Sequence, residues 1–148
     1  MSVRRRNGEF SGQAMVEFAL ASVVFLSMLL GIIEFGWLLF AQNQVTDAAR
    51  DGARYAAVNG TESQGLTSPS DQAAYTLDPD KVKSLIANRL DLPNANDMTV
   101  TVSMPDGTMV PGNRVEVSVS YPYHPLIGYV LPVGTITLKS SSTMIIHY

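Results

Sequence analysis

The sequence predicts an α+β protein, with one long N-terminal α-helix that includes a transmembrane segment and a small antiparallel β-sheet head. Three observations carry that prediction. Residues 18–33 contain no charge, and after Glu34 the apolar character resumes through residue 41. Residues 42–58, QNQVTDAARDGARYAAV, then continue in good helix formers with no break. Towards the C-terminus, valines and other β-branched residues alternate with serine and threonine in short runs, which is the period of half-buried strands.

The helix comes first. A membrane-spanning helix needs about 20 mostly apolar residues. Residues 14–41 exceed that with two carboxylates among them, Glu17 and Glu34. Arg4, Arg5 and Arg6 precede the apolar stretch, so they are expected to stay cytoplasmic and to send the C-terminus outside. A secretory signal peptide would have an apolar core of only about 7–15 residues and a small-residue cleavage site after it. Here the stretch is longer, and helical sequence follows it directly. A plain membrane anchor accounts for the length but not for the carboxylates. An ionisable group inside a bilayer costs roughly 3 kcal/mol and usually has a partner or a role. Glu34, near the outer end, also suits a carboxylate that snorkels to the membrane face.

The whole helix is expected over residues 13–58, about 69 Å at ~1.5 Å per residue, so its second half must stand outside the hydrocarbon. Gly31, Gly36 and Gly52 are positions where it could bend. Val45, Ala49, Gly52 and Ala56 recur at helical spacing and are small enough for a sheet or another helix to approach closely. Asp47 with Arg50, and Asp51 with Arg54, are spaced for weak surface ion pairs.

Residues 59–78 are polar, with Gly60, Gly65 and Pro69, and read as a surface loop. Asp78 and Pro79 then start a helix, as N-cap and first helical residue, with Val82, Leu85, Ile86 and Leu90 on its apolar face. Strands are expected over 98–104, 113–121 and 135–147, with a turn at Pro105, Asp106 and Gly107. Residues 121–133 form a hydrophobic loop that either covers the core or docks on a neighbour or a membrane leaflet. His124 is expected to satisfy a local hydrogen bond.

Several functions are disfavoured. Charged residues make up 16%, against about 25% in ordinary domains, and the formal net charge is −3, which does not suit nucleic acid. There is no cysteine, hence no disulfide, thiolate metal site or cysteine nucleophile. The two histidines, His124 and His147, have no zinc-site spacing. No phosphate-binding glycine loop and no serine-nucleophile motif occurs. No metal, cofactor or catalytic residue is expected, and the chain does not read as an enzyme.

Gly12, Gln13, Ala14, Met15, Val16, Glu17 and Phe18 together resemble the processing site of type IV prepilins, in the Glu-Phe variant of Flp/Tad pilus prepilins. Residues 31–36, GIIEFG, and 48–57, AARDGARYAA, are similar to the TadE-like family of pilin-like proteins. Tyr121, Pro122 and Tyr123, then Pro125 and Leu126, residues 135–138 and Met144 are similar to that family's C-terminal part.

The resemblance implies a type IV pilin-like fold. It implies a prepilin peptidase that cuts between Gly12 and Gln13 from the cytoplasmic side. Loss of Arg4, Arg5, Arg6 and Glu9 would leave a chain more acidic than the −3 of the whole. It implies that Glu17, beside Phe18, pairs with the N-terminal amine of a neighbouring subunit. The expected organisation is a leader at 1–12, a helix at 13–58 with its membrane segment at about 14–41, and an extracytoplasmic head at 59–148. Glu34, Gly31 and Gly36 are the candidates for helix packing in the membrane. The implied partners are the peptidase, other pilin subunits, the Tad assembly machinery and the inner membrane. The implied function is that of a minor pilin or pseudopilin that assembles into, or initiates, a Tad-type pilus or related secretion filament. The alternatives are the major subunit of a homopolymeric filament, and a single-pass membrane-anchored surface binding module.

Overall fold

The computed structural model describes residues 9–129 and 134–147. The chain divides into two units, Met1–Trp37 and Leu38–Tyr148.

The first unit contributes the beginning of helix α1, which spans Glu9–Val58. The helix therefore starts before the expected Gln13 and includes Ser11 and Gly12. Both are weak helix formers, but each costs only about 1 kcal/mol or less once a long helix is nucleated beside them. From Gly12 to Phe35 almost every side chain is exposed, Phe18, Phe25, Leu30 and Ile32 among them. Ser27 donates its hydroxyl to the carbonyl of Val23 at 2.7 Å, so this polar group is satisfied within the helix. A helix apolar all round and exposed all round fits a single-pass membrane anchor.

The second unit is built on the sequence alternation. Its sheet has the order β1-β2-β3, all antiparallel: β1 is Thr99–Ser103, β2 is Arg114–Tyr123 and β3 is Ile136–Ile145. Val100 lies opposite Val119, and Val117 opposite Ser142. This register turns Val115, Val117, Val119, Tyr121 and Tyr123 inward and buries them all. β2 runs two residues past its expected end, through Pro122. Its pairing with β1 stops at Ser120, so a missing N–H on that side breaks no ladder.

The other half of the core comes from α1. Ala41, Val45, Ala48, Ala49, Ala53, Ala56 and Ala57 are buried. Small side chains let the helix come close, and at Gly52 there is no room for a methyl group. A Cβ there would lie 2.9 Å from Ile86 Cδ1, 2.9 Å from Val117 Cγ1 and 3.2 Å from Val82 Cγ1. The expectation that small residues serve close approach is met, and Gly52 acts by packing within an unbroken helix.

Helix α2, Pro69–Ala74, lies within the stretch expected to be loop. Its signal was Pro69 after Ser68, a helix start that is easy to miss in so polar a segment. Helix α3, Pro79–Ala87, starts as expected: Asp78 accepts from the backbone N–H of Asp80 at 3.0 Å, and Val82 and Ile86 are buried. Residues 59–78 are pinned to the core, because buried Thr61 donates its N–H to Met109 and the Tyr75 hydroxyl donates to the carbonyl of Asn59.

Candidate assembly and membrane site

All the residues singled out for processing and assembly lie on α1. Gly12 and Gln13 sit within the helix, with Gly12 exposed and nothing within 4 Å of an added Cβ. Glu17 and Phe18 are exposed. Glu17 follows Gln13 by four residues, so the two share a helix face one turn apart. Gly31 and Gly36 are open, with nothing within 4 Å, while Glu34 is half-buried. The two glycines are five positions apart, so at about 100° per residue they face well apart and form no single groove.

In the second unit the charges are ordinary surface chemistry. Asp47 pairs with Arg50 at 3.2 Å, as the spacing suggests. Asp51 pairs with Arg89 of the segment after α3, at 3.2 Å, in place of the expected Arg54. The tertiary fold brings the Arg89 guanidinium to it, which no local spacing could reveal. Asp106 is the exception in strength. It accepts from the backbone N–H of Arg114 at 2.8 Å and from the guanidinium at 2.8 and 3.1 Å. The side-chain hydrogen bonds from Arg114 hold its carboxyl well below the usual range, at about 2. Gly107, at φ 88°, completes the turn expected there.

Tyr121 and Tyr75 titrate higher than usual, chiefly because both are partly buried. The Tyr121 hydroxyl donates to the carbonyl of Pro93 and ties the sheet to the segment after α3. His124 Nδ1 and Thr135 Oγ1 lie 3.3 Å apart, a local hydrogen bond of the kind expected. Within the hydrophobic stretch, Tyr121 and Tyr123 are buried strand residues, whereas Leu126 is 53% exposed. Val130, Leu131 and Val133 lie outside the described residues.

The outer face of the sheet carries an open depression of about 650 Å³ lined by Thr99, Thr101, Ser118, Ser120, Lys139 and Ser141. Lys139 is the ionisable side chain that lines it with these hydroxyls. Among the described residues no group of His, Cys, Asp or Glu is clustered to hold a metal ion.

A long apolar helix that continues into a small three-stranded antiparallel sheet is the layout of a pilin-like protein. Residues 12–54 match the model of the TadE-like protein family. The matched segment includes Gly12, Gln13, Glu17, Phe18, Gly31, Glu34 and Gly36, and the TadE-like resemblance read at residues 31–36 and from residue 48 to 54 falls within it. The similarity read at residues 121–144 lies outside it. Members of such a pilin-like family serve as structural components. No curated protein and no solved structure matches the chain.

Proposed function

We propose that this chain is a pilin-like subunit, in a minor or initiating role, of a Tad-type pilus or related secretion filament. It is held first in the inner membrane by α1, with Arg4, Arg5 and Arg6 on the cytoplasmic side. A prepilin peptidase removes residues 1–12, and the mature helix then packs against those of other subunits.

The observation that carries this reading is the family match over residues 12–54. It begins at the glycine where the cut is expected, and it covers a helix whose apolar side chains are exposed. The physics runs the same way. Ser11 and Gly12 are poor helix formers, so unwinding the helix at the scissile bond costs little. The cut removes three cations and creates one at Gln13. Glu17, isolated in hydrocarbon, costs roughly 3 kcal/mol; facing an ammonium of a neighbouring subunit it is compensated. Assembly thus relieves a penalty that the precursor carries, and a single carboxylate sets the axial register between helices.

N-terminal sequencing of the protein, from cells with and without prepilin peptidase, tests this. A peptidase-dependent start at Gln13 is expected. Met1 at the start in every fraction would leave only a membrane anchor, and a start beyond residue 41 would make the helix a secretory signal.

A further inference from the structure

We infer that one end of the Leu38–Tyr148 unit rests on the outer surface of the lipid bilayer through Leu39, Phe40, Leu126 and Ile136. The inference depends on the membrane reading of α1 made above and extends it from the helix to the head.

The geometry within this unit brings those four residues to one end. Gln42 Nε2 donates to the carbonyl of Lys139 at 3.4 Å, and further along the N–H of His147 donates to the carbonyl of Ala57 at 3.1 Å. Helix and β3 therefore run in the same direction, and the residues before Gln42 and before Lys139 reach the same end. Ile136 begins β3 there, opposite Tyr123. From Tyr123 the chain passes His124, bonded to Thr135, and enters the turn Leu126–Tyr129. Large apolar side chains are left open to solvent at this end: Leu39 48%, Phe40 38%, Leu126 53% and Ile136 41%.

Lipid fits this surface for two reasons. The first is length. Residues 14–41 make about 42 Å of helix, some 12 Å more than the roughly 30 Å of hydrocarbon. With Gln13 held at the inner face, the surplus places Leu39 and Phe40 at the depth of the outer headgroups, where amphipathic and aromatic side chains are favoured. The second is charge. Among described residues 38–44, 121–129 and 134–141, Lys139 is the charged one, and it is exposed. The carboxylate near this end is Asp97, which precedes β1 and acts on Tyr121. An apolar end with one lysine offset by one carboxylate carries no net charge that would repel an anionic lipid surface.

The absence of cysteine makes the test direct. Nitroxide labels on Leu126→Cys and Ile136→Cys in the full-length chain, reconstituted in phosphatidylethanolamine–phosphatidylglycerol vesicles, report accessibility to oxygen and to a water-soluble nickel chelate. Leu26→Cys serves as the lipid reference and Glu62→Cys, beyond the far end of α1, as the water reference. The oxygen-to-nickel ratio at 126 and 136 is expected to be several-fold above that at 62. Lys139→Glu is expected to lower it. A ratio at both sites equal to that at 62, with 26 still in lipid, overturns the docking and leaves the anchor standing. Water-like behaviour at 26 overturns the anchor itself. Shielding from both reagents that disappears on dilution into excess lipid means a second copy covers this end, and also overturns the inference.

Discussion

At Gly52 a single methyl group decides how near a helix comes to a sheet. Alanine there would gain about 1 kcal/mol of helix propensity, but its Cβ would press on Val117, whose branched side chain has little freedom to yield, and on Ile86. Overpacking of this kind costs about 1–3 kcal/mol, so Gly52→Ala is expected to destabilise the protein by about 1 kcal/mol in urea unfolding. Removing the Ile86 Cδ1 atom with Ile86→Val should make the double variant less damaged than the sum of the two singles. The Asp106–Arg114 pair gives a pH signature. Its folded pKa, about 2, lies below the ordinary 3.8, so its stabilisation is fully present above about pH 4 and is lost as pH falls through about 2. The melting temperature of Asp106→Asn should lie below that of wild type at neutral pH and converge with it in that acid window; parallel curves down to the acid limit would contradict the assignment. The small residues at 45, 49, 52 and 56 were legible in the sequence because helical periodicity is local. The partner of Asp51 was not, because Arg89 reaches it only through the fold.

Among the elements, α3 shows how far local chemistry reaches. Proline at the first helical position and aspartate before it define the start with no tertiary help. Asp78→Ala removes the acceptor for the Asp80 N–H and should cost about 1 kcal/mol, read as a lower unfolding midpoint in urea with an unchanged slope. The strands were equally readable, since alternation dictates which face is buried. Their ends were less so. β2 continues through Pro122 only because β1 has already stopped, a matter of strand pairing. α2 has no such signal for the opposite reason: a helix of six residues has no apolar face to give it a period, and it is tied down by its own Gln72, whose side-chain amide donates to the carbonyl of Leu66.

For the whole molecule, the first unit's exposed apolar surface is the dominant fact. An exposed apolar face of this size fits lipid or other helices better than water. Two solvents are proposed in turn, bilayer and then filament core, and Glu17 distinguishes them. Glu17→Val should insert into the membrane at least as well as wild type, since it removes a roughly 3 kcal/mol penalty, yet incorporate poorly into the assembly. Fractionation and quantification of the assembled material measure both; incorporation at the wild-type level would remove Glu17 from any role in register.

The sequence alone determined the membrane-length helix, the cleavage-like residues at its head, the alternating strands and the family resemblance. Each rests on composition or spacing within a few turns of chain, where hydrophobicity and local geometry act without the rest of the fold. Tertiary structure decided the rest: that Gly52 leaves no room for a Cβ, that Asp51 serves Arg89, and that the residues before Gln42 and before Lys139 reach the same end of the second unit. Those residues lie almost a hundred positions apart along the chain. Their meeting depends on strand register and on how closely a helix lined with alanines can lie against a sheet, and both are properties of packing between distant segments.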